Sequence, residues 1–223
     1  MSEFMPSTKV INEFALLCLN PEIKQAEEFV QNLLRNGEST ESIYLNLFTP
    51  SARYLGTLWE DDECDFVQVT IGLMQLQIII RKLGQTFQGN HDAGDLTHKA
   101  LFAPMPGSQH TLGVLMVSEF FRKEGWQVWL ELGASEANLL DMLSSEWFDL
   151  VGLSVGTQGQ LDQLTGLIAR IRKAALNPAL FVMLGGPAIY GRSDLLDKLG
   201  ADAIVGDARS AVELAQELRS LIV

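Results

Sequence analysis

The sequence predicts an α/β fold, a doubly wound parallel sheet of five strands preceded by a small helical bundle. Three observations carry this. A polar, glycine-bearing stretch, Gln88-Gly89-Asn90-His91-Asp92-Ala93-Gly94-Asp95, separates two regions of different periodicity. Before it the apolar residues recur with helical spacing. After it short β-rich runs alternate with helical ones, the pattern of strands joined by crossover helices. The domains expected are 1–88, helical, and 97–223, α/β.

In the first region Ala26, Phe29, Val30, Leu33 and Leu34 form one helical stripe, closed by Asn36-Gly37 as a C-cap. Ser39-Thr40-Glu41-Ser42 opens the next helix, Pro50 a third and Asp65 a fourth, which runs to about Phe87. That last helix carries Phe66, Val69, Leu73, Leu76 and Ile80 on one face, with Val67, Ile71, Met74 and Ile78 on another. Two apolar faces predict a helix that is central in the bundle or covered on a second side. In the second region the strands expected are Lys99 to Ala103, Gln127 to Leu132, Asp149 to Ser154, Leu180 to Leu184 and Ala203 to Val205. Helices are expected over about 110–124, 135–145, 159–175, 192–199 and 208–221. Right-handed crossovers place the loops after the strands along one edge, where such sheets bind ligands.

Composition narrows the function. The chain has 223 residues, 28 acidic against 16 basic ones and a net charge of -12. Such a chain is repelled by a phosphate backbone unless it keeps a basic patch, and the longest basic cluster is only Arg170-Ile171-Arg172-Lys173. Direct nucleic-acid binding is not expected. Cys18 and Cys64 are isolated, which excludes a disulfide scaffold or a CxxC site. Both read as small apolar residues, and the run Glu60-Asp61-Asp62-Glu63 beside Cys64 disfavours a thiolate. That run reads as a solvated helix terminus, with a partner-binding patch as the alternative. No basic-then-apolar leader or long apolar run is evident, so a soluble cytoplasmic protein is expected. No Ser-His-Asp order or HExxH pattern supports hydrolysis, Asp141, Glu146 and Asp149 show no pairing, and no enzymatic activity is expected.

The residues that could carry chemistry lie in three loops. After the first strand comes Pro104-Met105-Pro106-Gly107-Ser108-Gln109-His110-Thr111-Leu112-Gly113, which sets a histidine at the mouth of the sheet. After the third comes Ser154-Val155-Gly156-Thr157-Gln158-Gly159, and after the fourth Gly185-Gly186-Pro187-Ala188. Small residues in neighbouring loops leave a slot, into which Ser154 and Thr157 can donate hydrogen bonds. A slot with one histidine at its rim suits a flat ligand whose metal accepts an imidazole. The plain alternatives are a helix-capping role for His110 and turn chemistry for Gly185-Gly186. Trp59 is either a core anchor or a lid facing the ligand. Trp126 and Trp129 read as packing or surface residues, His98 as a solvated terminus and His91 as an exposed linker residue.

His110-x-x-Gly113, Ser154-x-Gly156 and Gly185-Gly186 together resemble the cobalamin-binding domain of the methionine synthase and methylmalonyl-CoA mutase type. There the motif reads Asp-x-His-x-x-Gly, then Ser-x-Leu, then Gly-Gly. The resemblance implies a flavodoxin-like (Rossmann-like) B12-binding domain under a helical cap. It implies His110 as the lower axial ligand of cobalt, with Ser108, Gln109, Thr111 and Gly113 among the cofactor-binding residues of that loop. Ser154 would bond the base of the cofactor's nucleotide tail, Gly185 and Gly186 would line its slot, Gly156 and Thr157 would be further cofactor-binding residues, and Trp59 would cover the upper face. Ser108 stands where that family has the aspartate that orients the histidine, which weakens tuning for alkyl transfer. Val69-Thr70 replaces the Glu-His pair of light-sensing cobalamin regulators.

Pro106-Gly107-x-Gln109-His110-Thr111-Leu112-Gly113 and Phe120-Phe121-Arg122-x-x-Gly125-Trp126 resemble, more particularly, the AerR/PpaA antirepressors of purple photosynthetic bacteria and the C-terminal domain of the flavin photoreceptor AppA. This likeness covers roughly residues 40–220. It implies a cobalamin- or haem-binding photoreceptor or redox sensor that regulates transcription of photosynthesis genes. Such proteins act by binding a PpsR/CrtJ-type repressor. A corrinoid carrier of a methyltransferase system and an interaction module without cofactor are the competing readings.

Overall fold

The computed structural model describes residues 4–87, 98–133 and 135–221. The chain forms two compact units, Met1–Phe87 and Gln88–Val223. The expected linker, Gln88 to Asp95 with His91, lies outside the described residues.

The helical unit begins with α1 (Thr8–Leu19), which the sequence reading did not anticipate. Its N-cap is nonetheless written in the chain: Ser7 accepts from the Val10 N–H. In α2 (Lys24–Arg35) Ala26 and Val30 are buried, and Gly37 ends the helix at φ 89°. Glu38 N–H bonds to Leu33 O and Gly37 N–H to Leu34 O, the glycine-based C-cap the sequence predicted. Ser39 caps α3 (Thr40–Ile43) by accepting from Ser42 N–H at 3.1 Å.

No new helix starts at Pro50. The chain runs from α3 through one π-helical turn, Tyr44–Phe48, directly into α4 (Thr49–Glu60). A proline has no N–H, and in a regular α-helix its ring meets the carbonyl four residues back. The wider turn, in which Thr49 N–H donates to Tyr44 O, lets the helix absorb Pro50 instead of breaking. The same turn buries Tyr44 and Phe48. The Tyr44 hydroxyl donates to Ile80 O at 2.9 Å, and Phe48 stacks on Phe14 with ring centroids 5.5 Å apart.

Asp65 opens α5 (Phe66–Phe87) with a reciprocal cap: its carboxylate accepts from Gln68 N–H at 2.8 Å, while Gln68 Oε1 accepts from Asp65 N–H at 2.9 Å. Val69, Leu76, Ile79, Ile80 and Leu83 face the core, where α5 packs mainly against α1 and α4. On the second apolar face Val67, Met74 and Ile78 are exposed among the described residues. Phe66, assigned by periodicity to the core face, is 64% exposed. As the first helical residue its side chain leans toward the N-terminal turn, past the end of the packing. Length and mean hydropathy alone would let α5 cross a membrane, but Gln68, Gln75 and Gln77 interrupt it and one face is the core of this unit.

Between α4 and α5 the four carboxylates of Glu60 to Glu63 are exposed, as expected of a solvated terminus. Asp62 sits at φ 58° where Gly is preferred, with its N–H on Trp59 O and Glu63 N–H on Leu58 O. Left-handed backbone strains a residue with a Cβ, and a carboxylate opposes the negative end of the helix dipole. Asp62→Gly is therefore expected to raise stability by about 0.5–1 kcal/mol. The urea midpoint should rise at constant m-value, and an unchanged midpoint would count against this account. Cys18 and Cys64 are buried. Burial pushes the Cys18 thiol up to about 12, and burial, then Asp65 and Glu63, push that of Cys64 up. Neither is poised to react.

The second unit contains the predicted parallel sheet. Its strands are β1 (Lys99–Pro104), β2 (Gln127–Leu130), β3 (Leu150–Ser154), β4 (Phe181–Gly185) and β5 (Ala203–Ile204), in the order β2-β1-β3-β4-β5. All neighbours pair in parallel, with Pro104 opposite Ser154 and Ser154 opposite Gly185. The crossovers contain α6 (Leu112–Lys123), α7 (Glu136–Ser145), α8 (Leu161–Ala174) and α9 (Leu196–Leu199), and α10 (Ala208–Leu221) follows β5. Short 3₁₀ turns, Gln158–Gln160 and Ser193–Leu195, lead into α8 and α9. β2 ends two residues earlier than predicted. Beyond Leu130 the Glu131 carboxylate turns inward to accept from Ser135 N–H and the Asn138 amide, holding the start of α7.

Leu101, Val151, Val182 and Leu184 pack with Phe148, Leu164, Leu167 and Ile168 on one side of the sheet. On the other, Phe102 lies across Gly152, its register partner, with ring carbons 2.3–2.4 Å from where a Cβ would stand. Phe121 packs edge-on against Phe102 and Trp126. Trp126 is buried, and Trp129 is edge-on to Phe148 under Lys99 Nζ, so both tryptophans pack as predicted. His98 is not a solvated terminus. It is half-buried with its ring 5.4 Å from that of Trp126. Within the basic cluster Arg170 pairs with Glu136 and Arg172 with Asp202.

Candidate functional site

The three loops singled out in the sequence leave the carboxyl ends of β1, β3 and β4, which are consecutive in the sheet. The order of strands thus gathers segments that are far apart in the chain along one edge.

The β1 loop is built by Pro106-Gly107. Proline presets φ for the second residue of a type II turn, and Gly107 supplies the positive φ, here 78°, that the third requires. Ser108 N–H closes this turn on Met105 O at 2.9 Å. Buried Ser108 then turns its hydroxyl oxygen to accept from the backbone N–H of His110 at 3.2 Å. The serine therefore positions His110 through the main chain, not through the ring. The imidazole is exposed and has no hydrogen-bond partner among the described residues. Gln109 and Gly113 are exposed beside it, and Thr111 is the N-cap residue of α6.

The ring lies on Gly156 of the β3 loop. A Cβ there would stand 2.8 Å from His110 Cδ2 and 3.3 Å from Cγ. Glycine at 156 is thus what lets the imidazole occupy this place. The β3 loop is braced by Gln160, whose Oε1 accepts from Gly156 N–H at 2.8 Å and Thr157 N–H at 3.2 Å. Gln158 donates from its amide to Ala188 O, tying this loop to the next. The sequence reading passed over both glutamines, although Thr157-x-x-Gln160 is a recognisable capping pattern. Ser154 is half-buried, and its hydroxyl is 3.7 Å from where a Cβ of Gly113 would be. Thr157 is exposed.

The two glycines of the β4 loop differ. Gly186 has φ 106°, and a Cβ would meet Val155 O at 2.5 Å and Val155 N at 2.8 Å. Backbone crowding alone demands glycine there. A Cβ on Gly185 would only touch Val205, at 3.7 Å. Nothing in the packing demands its absence, so the slot reading attaches to Gly185. Trp59, the remaining candidate, belongs to the helical unit. It is 51% exposed in the last turn of α4, so it is not a core anchor.

An exposed imidazole on a glycine floor, with small residues at the next two strand ends, defines a ligand-binding edge. Among the described residues no group of three or more His, Cys, Asp or Glu is placed to hold a metal ion. One histidine does not make a site for a bare ion, but it suffices for a metal already held in a macrocycle. The chain belongs to the B12 binding domain family, whose profile matches residues 98–215. It is 27% identical over 168 residues to a Rhodobacter capsulatus protein described as an uncharacterised 20.5 kDa protein of the bchF-crtJ intergenic region, covering 75% of this chain and 86% of that one. Its fold is similar to that of the monomethylamine corrinoid protein of Methanosarcina barkeri, with a TM-score of 0.77 at 16% identity over 96% of this chain and 100% of the other. The fold is that of corrinoid-binding proteins, and the α/β unit is a cobalamin-binding domain.

The residues present fit that group. His110 offers an unencumbered nitrogen ligand seated on Gly156, no packing demands the missing side chain of Gly185, and the Ser154 hydroxyl has no hydrogen-bond partner among the described residues. A bound corrinoid would supply a visible chromophore and a cobalt that accepts a protein nitrogen. This chain's residues would position it: His110 at the metal, Ser108 and Gly156 fixing the backbone and ring of His110, and Ser154 and Gly185 along the tail.

Proposed function

We propose that the chain is a cobalamin-binding, light- or redox-responsive antirepressor that works by binding a PpsR/CrtJ-type transcriptional repressor, without catalysis. The observation that carries this reading is the exposed His110 imidazole, seated on Gly156 at the ligand edge of a B12 binding domain. The relative from the bchF-crtJ region supports a link to the genes its description mentions. A net charge of -12 suits contact with a basic DNA-binding factor and disfavours contact with DNA itself.

A corrinoid carrier for methyl transfer shares the fold. Against it stands Ser108, whose hydroxyl is engaged by the His110 main chain and so does not orient the ring. A metal-bound histidine tuned for group transfer ordinarily donates its other nitrogen to a carboxylate or carbonyl.

The test is an absorbance spectrum after incubation with hydroxocobalamin or with haemin, followed by desalting. Retained cobalamin with bands that shift on His110→Ala, and affinity lowered at least about tenfold, is the expected outcome, equivalent to about 1.4 kcal/mol. A His110-dependent Soret band would assign haem instead. Loss of both ligands on desalting would leave the interaction module without cofactor. The second stage adds a PpsR/CrtJ-type repressor on its operator. Release of the DNA by the loaded protein, in a light- or redox-dependent manner, is expected, and methyl transfer from a corrinoid methyl donor without repressor binding would favour the carrier.

A further inference from the structure

The second apolar face of α5 follows a stricter pattern than amphipathicity alone. Val67, Ile71, Met74, Ile78 and Arg81 are spaced by four, three, four and three residues. That alternation is the heptad spacing by which one helix packs along another. Val67 is 62% exposed, Met74 54% and Ile78 40%, while Ile71 is half-buried. Leu76 and Ile80, which face the core, are fully buried. From Val67 to Ile78 the seam runs about 17 Å along the helix. A contiguous apolar row on a surface marks a site of protein contact.

The two ends of the seam carry opposite charge. Glu60, Asp61, Asp62 and Glu63 are exposed before the start of α5, and Arg81 is exposed where the seam ends. Neighbouring Lys82 pairs with Glu27, but among the described residues neither Arg81 nor the four carboxylates form an ion pair.

We propose that this seam binds a second copy of the chain, with α5 antiparallel to α5 about a two-fold axis between Ile71 and Met74. In that arrangement the seam is its own complement. Ile71 faces Met74 of the second copy, Val67 faces Ile78, and Arg81 falls opposite position 64, between Glu63 and Asp65. A parallel pair would set each acidic run against its own copy and Arg81 against Arg81, which like-charge repulsion opposes. The contact involves only the helical unit, so it stands apart from the cofactor reading and is tested without cofactor.

The experiment is sedimentation velocity of the full-length apo protein over a range of concentrations. The seam is shorter than a standard interface, so a dimer with a Kd on the order of 10 μM is expected. Met74→Glu buries a charge at the centre of the seam and should raise that Kd at least about tenfold. Its thermal melt at dilute, monomeric concentration should match the wild type, because Met74 is exposed. Arg81→Glu should weaken the dimer about fivefold at low salt, and adding Glu63→Arg should restore it. Under mild oxidation Val67→Cys protein should cross-link with Ile78→Cys protein, while neither cross-links with itself. The native thiols are buried and do not compete. A wild type that stays monomeric up to about 200 μM, well above that Kd, would overturn the proposal. In that case, weaker binding of a PpsR/CrtJ-type repressor by Met74→Glu would give the face to that partner, and a lowered melt would give it to the chain's own α/β unit. A dimer that Met74→Glu leaves intact, or Val67→Cys cross-linking with itself, would overturn the antiparallel seam.

Discussion

Gly186→Ala is expected to destabilise the α/β unit by about 3–5 kcal/mol, a large part of the roughly 5–15 kcal/mol that holds an ordinary domain folded. Two costs add. At φ 106° an alanine pays for a conformation that L side chains avoid. Its Cβ would also stand 2.5 Å from Val155 O and 2.8 Å from Val155 N. Those atoms cannot retreat, since Val155 N–H donates to Gly185 O at 2.8 Å and Val155 O accepts from Ala188 N–H at 3.2 Å. Relief would break the hydrogen bonds that join the β3 and β4 loops. Chemical denaturation of the apo protein, followed by far-UV circular dichroism, measures this directly. A loss below about 1 kcal/mol would mean that the two loops move apart freely, contrary to the clasp described here.

Gly156→Ala should have the opposite profile. The three atoms nearest its Cβ all belong to the His110 side chain, at 2.8–3.5 Å. That ring is exposed and untethered, so it can rotate away, and the expected change in stability is within about 1 kcal/mol. Rotation removes the imidazole from its floor, however, and with it the position from which it would reach a metal. Corrinoid affinity is expected to fall at least about tenfold, with the His110-dependent spectral shift lost. An alanine variant that binds and shifts like the wild type would show that the ring on Gly156 is not the binding pose. The pair of variants thus separates a glycine that the fold needs from one that the site needs.

Most of this architecture was legible because it rests on local chemistry. Alternating strand and helix patterns give the parallel sheet, and Pro106-Gly107 writes the turn that presents His110. The misreadings share a cause: tertiary context overrode a local signal. Pro50 is a start signal in isolation, yet a single π-helical turn carries it inside a continuous helix. Periodicity assigns α5 two apolar faces but does not say whether a neighbour exists for the second, and Phe66 falls beyond the end of the packing. Gly185 and Gly186 are identical in the sequence. Only the position of the Val155 backbone shows that one is obligatory and the other free.

The strand order also shapes how the chain comes to fold. Ala100 pairs with Leu150, 50 residues later, so central β1 waits for its main partner until α6, β2 and α7 have been made. Parallel pairing of this kind closes long loops before any contact rewards it, which makes for slow folding. During synthesis β1, β2 and β3 can assemble first, and β4 then β5 add outward along one side. β5 contributes only Ala203 and Ile204 to the ladder. Its amides should therefore exchange with solvent before those of β1 and β3, making the last-added strand the first to open.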